Sequence, residues 1–266
     1  MAELVDWSAY EREIDELIVA SGLDTLHAEL RRLILPSIRL RSRANLGVHW
    51  QPGQPRSRLG GVPHLPTGTE WPRNGGIPLA FLAEVDLAEV APFDTEQQLP
   101  PDGTLVFFGD AESLAVCDVG ASTTWRVLFG PAGTLLERRE PPAGIPDEAN
   151  FGEVLLQPEL EPTLVDLQYD RLLEVVGEDW RAYHNLRGAL ADRHGGYQQV
   201  HRMLGHAWPA QDNPLRSPDR ILLLQIDSEY AAGMQWGDAG GLYFTITRAD
   251  LATRRFDHVS LEAQCC

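Results

Sequence analysis

One short pattern occurs twice in the chain, and this repeat decides the fold. It reads FLAEVD over Phe81–Asp86 and LLLQID over Leu222–Asp227, an apolar run that leads to an acidic or amide residue, an apolar residue and an aspartate. Each copy is followed by a turn and a second apolar stretch that begins with glycine, at Gly103–Phe107 and at Gly240–Phe244. Short apolar runs rich in branched and aromatic residues are typical of β-strands. We therefore predict an α+β fold with a mainly antiparallel β-sheet core, an internal duplication, and a ligand site between the two copies.

Helical patterns flank this core. Residues 1–44 carry two successive amphipathic helical patterns and then an alternating strand pattern around Ile38, with arginines on its outer face. The residues from Trp180 to Leu190 again repeat with helical spacing and predict a late helical layer. We predict a single domain with four parts: a helical segment and first strand over 1–44, a duplicated β core over 45–256, a helical insertion over 179–204, and a tail over 257–266.

Charge and composition exclude several classes of protein. The formal charge is −17, which disfavours binding to nucleic acid or to an anionic membrane surface. All 22 basic residues are arginine, so the chain cannot form a lysine Schiff base, anchor pyridoxal phosphate or supply a P-loop lysine. It also lacks the glycine-rich dinucleotide motif, the serine nucleophile elbow and the zinc-protease helix motif. We therefore predict no cofactor and no metal.

The segment over residues 31–58 departs from this acidic character. It carries seven arginines and no acidic residue, so it is a candidate site for an anion. The alternative is that these guanidinium groups pair with the surplus of carboxylates elsewhere in the fold.

Cysteine content and the sequence near Met1 indicate the compartment. The three cysteines, Cys117, Cys265 and Cys266, do not make a disulfide framework. No run of 18 apolar residues occurs, and the N-terminal residues lack the basic and apolar regions of a signal peptide. We predict a cytoplasmic protein, and the lysine-free composition is typical of a bacterial one.

Several motifs resemble those of the YwqG-like family of bacterial proteins. They include Ser57–Pro63, Phe81–Asp86, Leu222–Ser228 and, most specifically, Trp236–Gly240 (WGDAG) followed by an aromatic strand. The similarity runs from about residue 45 to residue 256. It implies an α+β fold without an established cofactor, and some members are suggested to act as immunity proteins in bacterial toxin systems.

The chain differs from the pattern of that family at three positions. Glu84 replaces an amide, His206 replaces a tyrosine in a glycine-containing turn, and His64 replaces another tyrosine. A carboxylate and two imidazoles can carry out acid–base chemistry without a cofactor. We predict Glu84 as a catalytic base and His206 or His64 as the acid; the alternative is that each is a tolerated change or a hydrogen-bonded core group.

Other residues are candidates for holding a ligand. Aromatic residues would line an apolar pocket, Arg58 would orient an anionic group, and Gln225 stands where the first copy has Glu84. The predicted binding residues are Trp50, Arg58, Gln225, Trp236, Asp238 and Tyr243. The alternative for Trp236 and Asp238 is purely structural, a core tryptophan beside a tight glycine turn. Carboxylates at alternate strand positions could hold a divalent cation, but an aspartate that ends a strand more commonly caps the next turn.

Two functional hypotheses follow. The first is a small-molecule-binding protein, and in its catalytic form a cofactor-independent lyase or cyclase that performs elimination, addition or cyclisation. The second is an acidic interaction module, such as a toxin immunity protein, that binds a basic protein partner. Neither hypothesis involves nucleic acid or a membrane.

Overall fold

The computed structural model describes residues 4–43, 56–120, 122–166 and 176–265. Two helices come first along these ranges, and the strands follow with short helices between some of them; all of the long strands lie in one sheet. The helices are α1 (Ser8–Ala20), α2 (His27–Leu33), α3 (Leu87–Val90), α4 (Ala111–Ala115), α5 (Trp180–Arg193) and α6 (Arg248–Ala252). The strands are β1 (Ile34–Ser42), β2 (Arg58–Leu59), β3 (His64–Pro66), β4 (Arg73–Asn74), β5 (Ile77–Pro78), β6 (Ala80–Asp86), β7 (Thr104–Gly109), β8 (Trp125–Gly130), β9 (Leu136–Arg138), β10 (Val154–Leu164), β11 (Arg202–Met203), β12 (Arg220–Asp227), β13 (Gly241–Thr247) and β14 (Ser260–Gln264).

Ten of these strands form one antiparallel sheet, in the order β14-β13-β12-β11-β1-β10-β2-β6-β7-β8. The remaining strands form two short antiparallel pairs, β3 with β9 and β4 with β5, and only the second pair is a hairpin. The predicted α+β class with a mainly antiparallel core is therefore confirmed.

The order of the sheet is symmetric about its central pair, β1 and β10. On each side lie four strands that belong to one copy of the repeat, in corresponding order. The two first strands are exchanged, because β1 pairs with β11 of the second copy and β10 pairs with β2 of the first. Neither copy therefore completes its own sheet without the first strand of the other.

The correspondence extends to irregular backbone. The register of β6 against β7 shifts between Phe81 and Ala83, and the register of β12 against β13 shifts between Leu222 and Leu224, at matching positions of the repeated pattern. A β-bulge adds local twist to a strand pair. The duplication therefore includes the irregularity as well as the strands.

A second feature shared by the two copies is a glycine with positive φ just after the short strands β2 and β11. Gly61 (φ +75°) and Gly205 (φ +61°) both adopt the left-handed conformation that glycine tolerates best. A Cβ on Gly61 would lie 2.9 Å from the Cβ of Glu153, and one on Gly205 would lie 2.6 Å from the Cβ of Ser37. In each copy the glycine thus lets the turn pack closely against the exchanged first strand.

Two apolar cores hold the molecule together. The larger core spans both copies, and the rings of Phe107 on β7 and Phe244 on β13 meet edge to face with their centroids 5.0 Å apart. The smaller core joins the buried faces of α1, α2 and α5 to the ends of β1 and β10. The predicted N-terminal helices and late helix are both present, and they pack together in one layer instead of two. Tyr183 of α5 anchors this layer by donating a hydrogen bond to the carbonyl oxygen of Val165, at 2.7 Å.

Two local expectations differ from the structure. The residues predicted as a tail over 257–266 include β14, which pairs with β13 through five residues and forms one edge of the sheet. Arg39, expected on a cationic outer face of the first strand, is 3% exposed and lies 3.6 Å from the carboxylate of Glu161. Its neighbours on β10 and β11 cover the face that the alternating pattern assigned to solvent.

Candidate functional site

Three of the predicted site residues meet in the first copy. Arg58 and Glu84 lie opposite each other on β2 and β6, and a guanidinium nitrogen of Arg58 is 2.5 Å from the carboxylate of Glu84. The same carboxylate accepts a hydrogen bond from the backbone N–H of His64, at 2.9 Å. Arg58 and Glu84 are 2% and 3% exposed, whereas the imidazole of His64 is 34% exposed.

The chemistry of this cluster assigns a different role to each group. Arginine is only a donor, so its contact of 2.5 Å with Nδ1 of His64 makes Nδ1 an acceptor and leaves the proton of a neutral ring on Nε2. The carboxylate of Glu84 is already engaged by a guanidinium and a backbone amide. Glu84 therefore holds Arg58 and the His64 backbone in place, and of the two only the imidazole is open to solvent.

The second copy builds the matching position from neutral groups. Gln225 replaces Glu84: its Oε1 accepts from the backbone N–H of Trp208 at 2.9 Å, and its Nε2 donates to the Trp208 carbonyl oxygen at 3.1 Å. Tyr243 also donates to that carbonyl oxygen, at 3.2 Å. Gln225 and Tyr243 are 0% and 1% exposed. Both residues, predicted to bind a ligand, are used to fix the turn at Trp208.

His206 lies apart from Glu84. Its Nε2 donates to the carbonyl oxygen of Leu33 at 2.7 Å, and its backbone N–H donates to Thr163. Burial, and then the guanidinium groups of Arg202 and Arg187, lower the pKa of His206 to about 4. The ring is therefore neutral at physiological pH, and its Nδ1 carries a lone pair.

A cavity of about 660 Å³ lies beside His206, where the two halves of the chain meet. Leu35, Glu96 and Gln98 line it from the first half, and Arg220 and Arg248 line it from the second. Its volume is within the range of small-molecule sites. Sequence reasoning predicted a cleft at this boundary and named His206 as a candidate, but it did not identify the two arginines.

Two of the three arginines that line this cavity are held by neutral groups, whereas Arg216 pairs with Glu262 at 2.8 Å. Arg220 donates from Nε to the hydroxyl of Thr245 at 3.0 Å and from a terminal nitrogen to its carbonyl oxygen at 2.8 Å. Arg248 donates to the side-chain oxygen of Gln98 at 3.3 Å. In the part of the chain that the structure describes, no carboxylate oxygen lies within 4.0 Å of either guanidinium group. The cavity therefore presents two guanidinium groups that no described carboxylate contacts within 4.0 Å, and Glu96, which accepts a hydrogen bond from Gln98, also lines it.

The remaining candidates lie elsewhere. Trp236 is 2% exposed, packs edge to face on Phe151 at 5.6 Å, and lines a second cavity of about 500 Å³. Asp238 is exposed at the neighbouring turn. Trp50 lies outside the described residues. Glu84 pairs with Arg58, His206 lines the cavity of about 660 Å³ and Trp236 lines the second cavity, so the structure places these three residues in separate locations.

Neither a metal-binding cluster nor a membrane-spanning helix occurs among the residues that the structure describes. Over residues 4–43, 56–120, 122–166 and 176–265, no group of three or more histidine, cysteine or acidic side chains is arranged to hold a metal ion. Within the same residues, no helix has the length and apolar character needed to span a bilayer.

The protein has a duplicated, antiparallel α+β fold with a cavity at the boundary between its halves. A model of the domain of unknown function DUF1963 matches residues 57–265, which is most of the chain, and the protein belongs to this family. No curated protein matches the sequence. The matched range begins at the short strand β2 and ends just after β14, so it contains both copies of the repeated strand pair.

Proposed function

We propose that this protein binds a small organic anion in the 660 Å³ cavity between its halves and transforms it by acid–base chemistry without a cofactor. The observation that carries the proposal is that Arg220, Arg248 and the neutral imidazole of His206 line the same cavity. Neither arginine has a carboxylate partner among the described residues. Charge-assisted hydrogen bonds from guanidinium groups are well suited to carboxylate, sulfate and phosphate oxygens.

His206 is the proton-transfer group in this proposal. Because Nε2 donates to Leu33, the ring presents Nδ1 as an acceptor, and no described residue hydrogen-bonds to Nδ1. A bound anion would favour the imidazolium form and raise the low pKa of His206 toward neutrality. Binding would thus prepare the ring to remove a proton from the ligand, in an elimination, addition or cyclisation.

The binding step is tested with a panel of small organic anions. Dicarboxylates, phosphate monoesters and sulfate esters are compared with neutral analogues at fixed ionic strength, by thermal denaturation and by calorimetry. We expect one class of anion to stabilise the protein, and Arg220→Gln or Arg248→Gln to weaken its binding by about 10- to 100-fold, as expected for one charged hydrogen bond. The matched control is Arg126→Gln, which removes an exposed arginine from β8 outside the cavity. Binding that is equal in all three variants would contradict the proposal.

The chemical step is tested on the anion that binds. His206→Val should leave its affinity nearly unchanged and reduce turnover by at least about 100-fold, because proton transfer by a positioned side chain contributes at this level. Turnover that survives this change would remove His206 from the mechanism while leaving the binding site intact.

The ion pairs formed by arginines of the segment over residues 31–58 support a second candidate function. Five of its seven arginines have a carboxylate oxygen at 2.5–3.8 Å, so these five do not form a free cationic surface; they are Arg31, Arg39, Arg41, Arg56 and Arg58. The chain as a whole keeps a formal charge of −17. An acidic surface of this kind is suited to a basic protein partner, as in a toxin immunity protein. Its association rate should fall steeply with added salt, and a salt-insensitive rate would contradict this function.

We also propose a narrower family assignment and a location. The WGDAG motif over Trp236–Gly240 and the motif over Ser57–Pro63 support a YwqG-like, bacterial member of the DUF1963 family. The low cysteine content supports a cytoplasmic location.

A further inference from the structure

Two cysteines that are far apart in the sequence meet in the structure. Cys117 follows α4 in the first half, and Cys265 follows β14 in the second, and both are partly exposed. A Cβ on Gly237 would lie 2.6 Å from the Sγ of Cys265 and 3.3 Å from the Sγ of Cys117. The two sulfur atoms therefore border the same glycine.

The backbone around this contact is unusual. Cys117 has φ +51° and Gly237 has φ +50°, both in the left-handed region, which a residue with a side chain adopts only at a cost in free energy. Gly240, in the same turn as Gly237, leaves no room for a side chain, because its Cβ would lie 2.9 Å from the Cβ of Cys265. The turn that contains the WGDAG motif is thus closely packed against the thiol pair.

We propose that Cys117 and Cys265 are a modification site, at which a low-molecular-weight disulfide such as glutathione disulfide converts the two thiols into one intramolecular disulfide. This site is independent of the anion cavity. The Cys265 thiolate attacks the reagent, forms a mixed disulfide and releases one reduced thiol. Cys117 then loses its proton, attacks the Cys265 sulfur, forms the internal disulfide and releases a second reduced thiol. Two protons leave the protein, and its two electrons reduce the reagent to two thiols.

The local environment sets the order of these steps. Burial, together with the neighbouring Cys265 thiol, raises the pKa of Cys117 to about 12, so this residue is a protonated thiol at neutral pH. A protonated thiol is a poor nucleophile, so Cys117 is disfavoured as the residue that attacks the reagent first. The rate of oxidation should therefore increase as the pH rises above neutrality.

The modification would act on the second cavity. Val116, which precedes Cys117, and Trp236, which precedes Gly237, both line that cavity of about 500 Å³. A bond between the two sulfur atoms would tie these walls together and join the first half of the chain to the edge strand of the second.

The proposal is tested on the full chain with glutathione disulfide, followed by intact-mass and peptide mass spectrometry without reduction. The wild type should form the Cys117–Cys265 disulfide. Cys117→Ser should stop at a glutathione adduct on Cys265, whereas Cys265→Ser should leave Cys117 reduced. Cys266 lies outside the described residues, so Cys266→Ser is the matched control, and it should form the same disulfide as the wild type.

The outcomes that overturn the proposal are distinct. If Cys266→Ser abolishes the disulfide, or if the peptides show Cys265 bonded to Cys266, the pair is wrongly assigned. If the folded wild type acquires only glutathione adducts, the two sulfur atoms do not come together. The correct disulfide should raise the midpoint of thermal unfolding by roughly 5 °C or more, because it closes a long loop of chain, and the rise should disappear on reduction.

Discussion

The two halves of the molecule solve one structural problem with different chemistry. In each half, a backbone N–H donates a hydrogen bond to a side chain on the first long strand of the repeated pair. The donor lies five residues after the end of the short strand β2 or β11. That side chain is the charged Glu84 in one half and the neutral Gln225 in the other, and the donors are His64 and Trp208, each at 2.9 Å. The substitution of glutamate for an amide is therefore first of all a structural change. A carboxylate in the position of an amide requires a buried cation, and Arg58 supplies it.

The halves also differ in the residues or contacts at two further matched positions. Arg202 occupies the position of Arg58, but it lies 3.0 Å from Glu161 on the exchanged strand β10 because Gln225 offers no charge. His206 follows Gly205 in the second half, where Val62 follows Gly61 in the first. The cavity of about 660 Å³ lies beside His206, the titratable residue of this pair.

Removal of the buried cation should give the largest effect. We expect Arg58→Met to lower the free energy of unfolding by about 3–5 kcal/mol, because Glu84 would remain buried without its nearest cation. Chemical denaturation measures this loss. Arg216→Met is the control, since Arg216 is 70% exposed in its pair with Glu262 and should contribute less than about 1 kcal/mol. Equal losses in the two variants would show that burial does not strengthen the first pair.

Replacement of the carboxylate should have a smaller effect. Glu84→Gln would make the first half resemble the second, and the amide oxygen could still accept from the His64 backbone as Gln225 does from Trp208. We expect a loss of about 2 kcal/mol, because Arg58 retains Glu153 as a carboxylate neighbour at 3.8 Å.

A double-mutant cycle sharpens this expectation. The variant with both Arg58→Met and Glu84→Gln should lose less free energy of unfolding than the sum of the two single losses, because neither half of the charged pair is then left alone. Additive losses would contradict the assignment of the two groups as one coupled pair.

The aromatic contact between the copies should show the symmetry directly. Phe107 and Phe244 are both fully buried in the larger core, so Phe107→Leu and Phe244→Leu should each cost about 1–1.5 kcal/mol. The double variant should cost less than the sum, since each single change already removes the contact between the rings. Strongly unequal losses would indicate that the two halves contribute differently to the core.

His206 should give the smallest effect at neutral pH and a larger one in acid. His206→Val restores the residue of the first half and should cost about 1 kcal/mol at pH 7, through the lost hydrogen bond to Leu33. In the wild type the ordinary pKa of 6.5 applies to the unfolded chain and a value of about 4 to the folded one. The unfolded chain therefore binds the proton first, and this contribution to stability is lost as the pH falls from about 6.5 to about 4.

The measurement for His206 is the slope of stability against pH. Between pH 6.5 and pH 4 the loss of stability in His206→Val should be smaller than in the wild type, because the titrating group is absent. Parallel curves for the two proteins would show that the pKa of His206 is not lowered in the folded state.

Much of the fold could be predicted because its signals are local. The repeated pattern at Phe81–Asp86 and Leu222–Asp227 predicts two strands whose side chains alternate between faces, and the pairing with the following glycine-led strands is short in range. The helices were predicted from their own periodicity. The exchange of β1 and β10 could not be predicted, since strand pairing across the whole chain depends on which apolar faces cover each other.

The candidate site was predicted in part, for a related reason. The contact of Arg58, Glu84 and His64 joins residues on adjacent strands of one copy, and these three were named from the sequence. Glu84 was expected as a base, and its engagement by Arg58 is a consequence of cross-strand register. The cavity arginines lie on β12 and α6 without a motif, so only the packing of the halves brings Arg220 and Arg248 beside His206.

The sequence by itself determined the fold class, the duplicated strand pair and the residues that differ between the copies, because side-chain alternation and glycine-led turns act over a few neighbouring residues. The tertiary structure decided which charges are neutralised and which remain available. A guanidinium group acquires its role from the carboxylates within a few ångströms of it, and the exchanged first strands set those distances by placing β1 and β10 between the two copies. Arg39 and Arg58 are buried in ion pairs by this arrangement, whereas Arg220 and Arg248 line a cavity and have no carboxylate oxygen within 4.0 Å among the described residues.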